Sequence, residues 1–89
     1  MSESKIQAKV IKKLEANGFY VIKISKSNKN GIPDLIVIPR ASNVFFIEMK
    51  DTGEKAGPLQ EFRISELERH GVKAFVLDNE DINEILNNI

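Results

Sequence analysis

Asp34, preceded by Pro33, is followed after thirteen intervening residues by Glu48-Met49-Lys50 at the end of an apolar run. Two carboxylates and an ammonium gathered at one point form the kind of set that magnesium-dependent cleavage of a phosphodiester requires. Mg²⁺ is a hard cation that keeps several waters and takes one or two carboxylates plus substrate phosphate oxygens. It can make a nucleophile of a bound water and offset charge growing on the phosphoryl oxygens. Lys50 would then orient or deprotonate the water, or stabilise the transition state. The plain alternative is a structural ion pair of Lys50 with Asp34 or Glu48.

The elements that must position these groups can be read from periodicity. Ile6, Val10 and Leu14 recur at helical spacing and stop at Asn17-Gly18, which marks a first helix. Residues 19 to 25 alternate Phe19, Val21 and Lys23 against Tyr20, Ile22 and Ile24, a strand pattern. Leu35 to Ile38 and Val44 to Ile47 are continuous apolar runs about a short polar turn, which predicts a central antiparallel hairpin covered on both faces. Pro58 opens a second helix through Leu59, Phe62, Ile64 and Leu67 to His70. A last strand spans 72 to 77, and a short terminal helix, about 79 to 88, carries Ile82, Ile85, Leu86 and Ile89 on one side. The order is α-β-β-β-α-β-α, an α/β fold in a single domain spanning residues 1 to 89.

In a strand, residues two apart share a face, so Glu48 and Lys50 project together. The hairpin register sets Asp34 opposite Met49 or within one residue of it, hence beside both charges. The backbone oxygen of Met49 is a further candidate metal ligand.

Composition narrows the remaining choices. The chain has no cysteine and one histidine, so a thiolate zinc site or a histidine-rich metal site is excluded and any metal must sit on oxygen. No apolar stretch approaches a membrane span or a signal peptide, which leads us to expect a soluble cytoplasmic protein. Net charge is zero, but residues 1 to 40 hold eight bases against three acids. That asymmetry permits one basic face for phosphates. The donor-rich segment from Lys26 to Asn30, with Lys26, Ser27 and Lys29, runs directly into Gly31-Ile32-Pro33-Asp34 and is a candidate phosphate contact, as is Lys55 from the other side. A short chain buries a modest core, so pairing with a second copy is expected.

Gly31-Ile32-Pro33-Asp34-Leu35-Ile36-Val37, then Phe46-Ile47-Glu48-Met49-Lys50, then Gln60 opening a helix, resembles the VRR-NUC family of the PD-(D/E)XK nuclease superfamily. The resemblance runs from Glu3 to Leu77. It implies a restriction-endonuclease-like αβββαβ core with a mixed sheet flanked by helices. It also implies Mg²⁺- or Mn²⁺-dependent DNA cleavage and a homodimer acting on branched or distorted duplex, similar to Holliday-junction resolvases. Stand-alone members of this size are viral or bacterial, which would place the protein in a bacterial or phage-infected cell. By the same match Asp34 and Glu48 are metal ligands, Lys50 is the catalytic lysine, and Glu3 and Gln60 join the site. Met49 departs from the small or β-branched residue usual there.

The residues themselves offer Glu3 and Gln60 two readings each. Glu3 precedes Ile6 and Val10 by three and seven residues, so its carboxylate can end the core-facing stripe, or it can simply favour the helix dipole. Gln60 shares a face with Ile64 and Leu67, yet it also sits where it can cap the helix N-terminus. A noncatalytic nucleic-acid-binding or assembly module with the same fold, and an RNA-directed nuclease, are the alternatives to DNA cleavage.

Overall fold

The computed structural model describes all of residues 1–89, and its element order is the one expected. Helix α1 spans Glu3–Ala16, strand β1 Tyr20–Lys23, β2 Leu35–Ile38, β3 Phe45–Met49, helix α2 Pro58–Arg69, β4 Lys73–Leu77 and helix α3 Asn83–Asn87. The strands form one mixed sheet in the order β1-β2-β3-β4, antiparallel except for the parallel β3–β4 pair. A parallel neighbour needs a crossover, and α2 supplies it. No helix is long and apolar enough to cross a membrane.

The core lies between one sheet face and the pair α1 and α3. Ile6, Val10 and Leu14 on α1, and Ile82 and Ile85 at α3, pack with Leu35, Val37, Phe45, Ile47, Met49 and Leu77, all buried. Every second strand residue therefore points toward α1, as the pleat requires. Phe45 stands edge-on to Phe19 and Phe75, with ring centroids 6.1 Å and 5.4 Å away. That geometry suits the aromatic quadrupole and ties β3 to β4 and to the residue that leads into β1.

The opposite sheet face is where expectation and structure part. The continuous apolar runs of the hairpin imply cover on both sides, yet α2 has no buried residue and packs beside β4, where Ile64 approaches Val76. Tyr20, Ile22 and Val76 on this face stay exposed, and so do Leu59 and Phe62 on α2. A twelve-residue helix over one edge of a four-stranded sheet is too narrow to roof it. The boundaries differ slightly too. β1 is shorter than the 19–25 pattern and β3 begins at Phe45 rather than Val44, while α3 covers half of its expected range.

Gly31 ties the loop before β2 to α2. Its φ is +83°, and an added Cβ would come within 2.7 Å of Leu59 Cγ, so both conformation and space demand glycine. Arg63 Nε also donates to the Asn30 carbonyl at 2.7 Å. The chain thus enters Asp34 from a fixed position.

Candidate active site

The hairpin register delivers the opening residues to one point. Leu35 faces Ile47, and one step further along the same register brings Asp34 against Glu48. The Met49 N–H donates to Asp34 Oδ2 at 2.7 Å, which fixes the carboxylate across the strand ends. The Ile24 N–H donates to the Asp34 carbonyl at 2.8 Å, so β1 holds the same residue from the other side. The Met49 side chain is in the core, which leaves only its backbone to the site.

Glu48 is 2% exposed, on the sheet face away from α1. Lys50 Nζ stands 3.7 Å from Glu48 Oε2, a distance for Coulomb attraction and too long for a good hydrogen bond. Burial pushes the Glu48 carboxyl up to about 8, the charge of Asp34 and a hydrogen bond with it add to the rise, and Lys50 opposes it. One ammonium therefore does not offset two adjacent carboxylates at a desolvated point, and a proton stays on the pair near neutral pH. The simple structural ion pair is an incomplete account of such a site, because the lysine is outnumbered.

Glu3, the first residue of α1, joins this field. Its carboxyl is also raised, first by burial and then by Asp34, with Lys50 acting against the rise. The Glu3 N–H donates to Asp51 Oδ1, so a residue just past β3 caps α1 where the Ser2 side chain makes no capping bond. An open polar recess of about 400 Å³ lies between them, lined by Glu3, Gln7, Lys23, Asp34 and Asp51 together with Ser2 and Ser4. Gln7 is 7% exposed and faces the recess one turn beyond Glu3.

The other candidates separate. Gln60 Oε1 accepts the Gly57 N–H at 2.9 Å, which is the capping reading of this residue, and no hydrogen bond links it to Lys50 or the carboxylates. Lys26, Ser27 and Lys29 line a shallow groove next to the site, where the Ser27 hydroxyl accepts the Lys29 N–H at 3.0 Å. Lys55 lies instead in a recess with Glu54, Glu61, Glu68 and Asp78. Four acidic residues share that recess with its ammonium, so the loop after β3 leads onto the acidic flank of α2. Asp51, Gln7 and Lys23 are the neighbours that spacing alone did not single out. Helical phase from Glu3 would have found Gln7, and the inward phase of Lys23 with Val21 was visible.

A divalent cation fits the donor set in a limited sense. Nowhere in the chain do three or more carboxylate or imidazole groups converge in a ready-made metal cage. Two hard oxygen donors in contact, under-compensated by lysine, nevertheless match the way Mg²⁺ is held by few protein ligands and completed by water and phosphate.

Known proteins resemble this chain in both sequence and fold. A VRR-NUC domain model matches residues 1–81. The chain is 29% identical over 84 residues to "Putative nuclease p44" of Acyrthosiphon pisum secondary endosymbiont phage 1, covering 94% of this chain and 90% of that one. A solved structure described as a VRR_NUC domain superposes with a TM-score of 0.81 at 29% identity, covering 97% of this chain and 94% of the other. A second, a VRR_NUC domain protein, gives 0.81 at 27% identity over 98% and 86% of the two chains. With matched sequence over nearly its whole length and a matching fold beneath it, this chain belongs to the VRR-NUC domain family, and its domain is a nuclease domain.

Proposed function

We propose that the protein is a Mg²⁺- or Mn²⁺-dependent endonuclease of PD-(D/E)XK type that hydrolyses DNA phosphodiesters at branched or distorted duplexes, Holliday junctions among them. The convergence of Asp34, Glu48 and Lys50 at the ends of β2 and β3 carries this reading. Asp34 and Glu48 would hold the cation, with the Met49 backbone oxygen and Glu3 as further candidates. When bound, the cation supplies Lewis-acid neutralisation of the phosphoryl oxygens and acidifies a water.

The chain's own groups do the positioning. Asp34 is fixed by the Met49 N–H and hydrogen-bonds with Glu48. Lys50 sets its ammonium where it can orient the attacking water or meet the negative charge of the transition state. In the net reaction a water oxygen bonds to phosphorus, an ester P–O bond breaks, and the proton passes to the departing alkoxide. Glu3 lines the recess behind Asp34 and can take a hydrogen bond from a water there.

One such site cuts one strand, so paired incision across a branch calls for two copies related by symmetry. The small core supports a homodimer. The test is incubation of the purified protein with labelled four-way junction, flap, fork and linear duplex in Mg²⁺ and in Mn²⁺. Incision of branched substrates in preference to linear duplex supports the reading. Failure to cut any of them in either metal would sink it.

A further inference from the structure

A groove of about 540 Å³ runs along the uncovered sheet face from the edge strand β1 into the loop before β2. Its floor is apolar, formed by Ile22, Ile36 and Phe46, and Ile22 is 42% exposed. Its rim holds Lys23, Lys26 and Lys29, and no carboxylate lines it. None of these lysines is held in any of the four ion pairs of the chain. The neighbouring acid Glu66 is already paired with Arg63 at 2.8 Å. Tyr20, two residues before Ile22 and thus on the same face, is 67% exposed. Lys23 lines this groove and also the polar recess at Asp34, so it stands between the two.

A cationic rim over an apolar, partly aromatic floor is how proteins hold an unpaired nucleic-acid strand. Ammonium groups track the phosphates, while bases and sugars lie on the floor without sequence readout. We propose that this groove carries a single-stranded segment of the substrate past Lys23 to the cleavage site, so that the favoured substrate is DNA with an unpaired arm beside a duplex. Charge complementarity argues for this occupant, since a phosphate chain brings negative charge along the whole rim, whereas a second copy holds four of its acids in the α2–β4 recess. The acidic recess around Glu54, Glu61, Glu68 and Asp78 on the α2–β4 side repels the strand from the other direction. The proposal rests on the nuclease reading for what happens at Asp34, but the groove is read by binding alone.

Fluorescence anisotropy in EDTA, with a forked duplex bearing a dT arm and a blunt duplex of the same sequence, tests it. The wild-type protein should prefer the fork by at least about tenfold. Replacing all three groove lysines (Lys23→Ala, Lys26→Ala, Lys29→Ala) should remove that preference. It should also reduce the steepness of log K against log salt by about 2, or about 0.7 for each lost phosphate contact on a single strand. Arg69→Ala, at the far end of α2, should change neither quantity. Ile22→Glu should weaken fork binding at least as much as one lysine substitution.

Wild-type binding that does not distinguish fork from blunt duplex, or a triple variant that binds the fork normally, overturns the groove. So does an Ile22→Glu variant that converts a dimer to a monomer while fork affinity stays unchanged, because the face would then belong to a second copy. Metal-dependent cleavage by a protein whose triple variant still binds forks normally refutes the groove alone. Loss of fork binding in the triple variant with no cleavage by wild type keeps the groove and refutes the nuclease reading.

Discussion

At the scale of single residues, Glu48 is the group whose surroundings say most. Its carboxyl is raised from 4.5 to about 8 in the folded chain by burial, then by Asp34. Between those values the folded state holds a proton that the unfolded state has lost, so stability falls as pH rises through that window and levels off above it. Metal-free protein should therefore melt at progressively lower temperature from about pH 5 to about pH 8. Glu48→Gln should flatten the curve and raise the melting temperature at pH 8. Mn²⁺ at about 100 times its dissociation constant should recover about 2.7 kcal/mol in the wild type and little in the variant. A wild-type melting curve independent of pH would contradict the burial argument. Gln60 offers the converse case: Gln60→Ala should cost about 1 kcal/mol in urea denaturation while Gln60→Glu retains most of it, because its side chain bonds to the Gly57 backbone.

The elements explain why much of this was legible in the sequence. Period 2 in the hairpin and the short turn set the register, and the register alone puts Asp34 beside Glu48 and Lys50. Helical spacing likewise revealed the α1 stripe, since Ile6, Val10 and Leu14 have one environment to satisfy. Leu14→Ala should accordingly cost about 2–5 kcal/mol, visible as a lowered denaturant midpoint. What failed was the second sheet face. A run such as Leu35 to Ile38 says that both faces are apolar, not that the chain owns enough helix to cover both. The side of the sheet on which Lys55 would lie was equally hidden, since it depends on how the loop after β3 meets α2. Gly31 is an element-scale constraint that does show in the chain. Gly31→Ala should destabilise by about 1–3 kcal/mol through its positive φ and the Leu59 contact, measured by the same denaturation.

The whole molecule is electrically divided although its net charge is zero. Lysines gather on the β1 and loop side of the site, and acids gather on the α2–β4 side. A polyanion is therefore offered one approach to the carboxylates, and weak binding by a single copy is offset if two copies pool their basic faces. The dimer should be seen by sedimentation at micromolar concentration. Cleavage per site should fall when dilution splits it, whereas a concentration-independent monomer that still cuts both strands of a branch would contradict the paired-site account. The division also explains why composition said so little here: a zero sum conceals two opposite faces, and only the fold reveals which side each occupies.

The most direct test of the central claim is the single-turnover cleavage rate of a branched DNA in Mg²⁺ for wild type, Asp34→Ala and Lys50→Ala, with each variant checked for native melting. Removing a group from the reacting centre should lower the rate by at least about a hundredfold while leaving metal-free DNA binding nearly unchanged. Either variant cutting at the wild-type rate would contradict the assignment of Asp34, Glu48 and Lys50 as the machinery of cleavage.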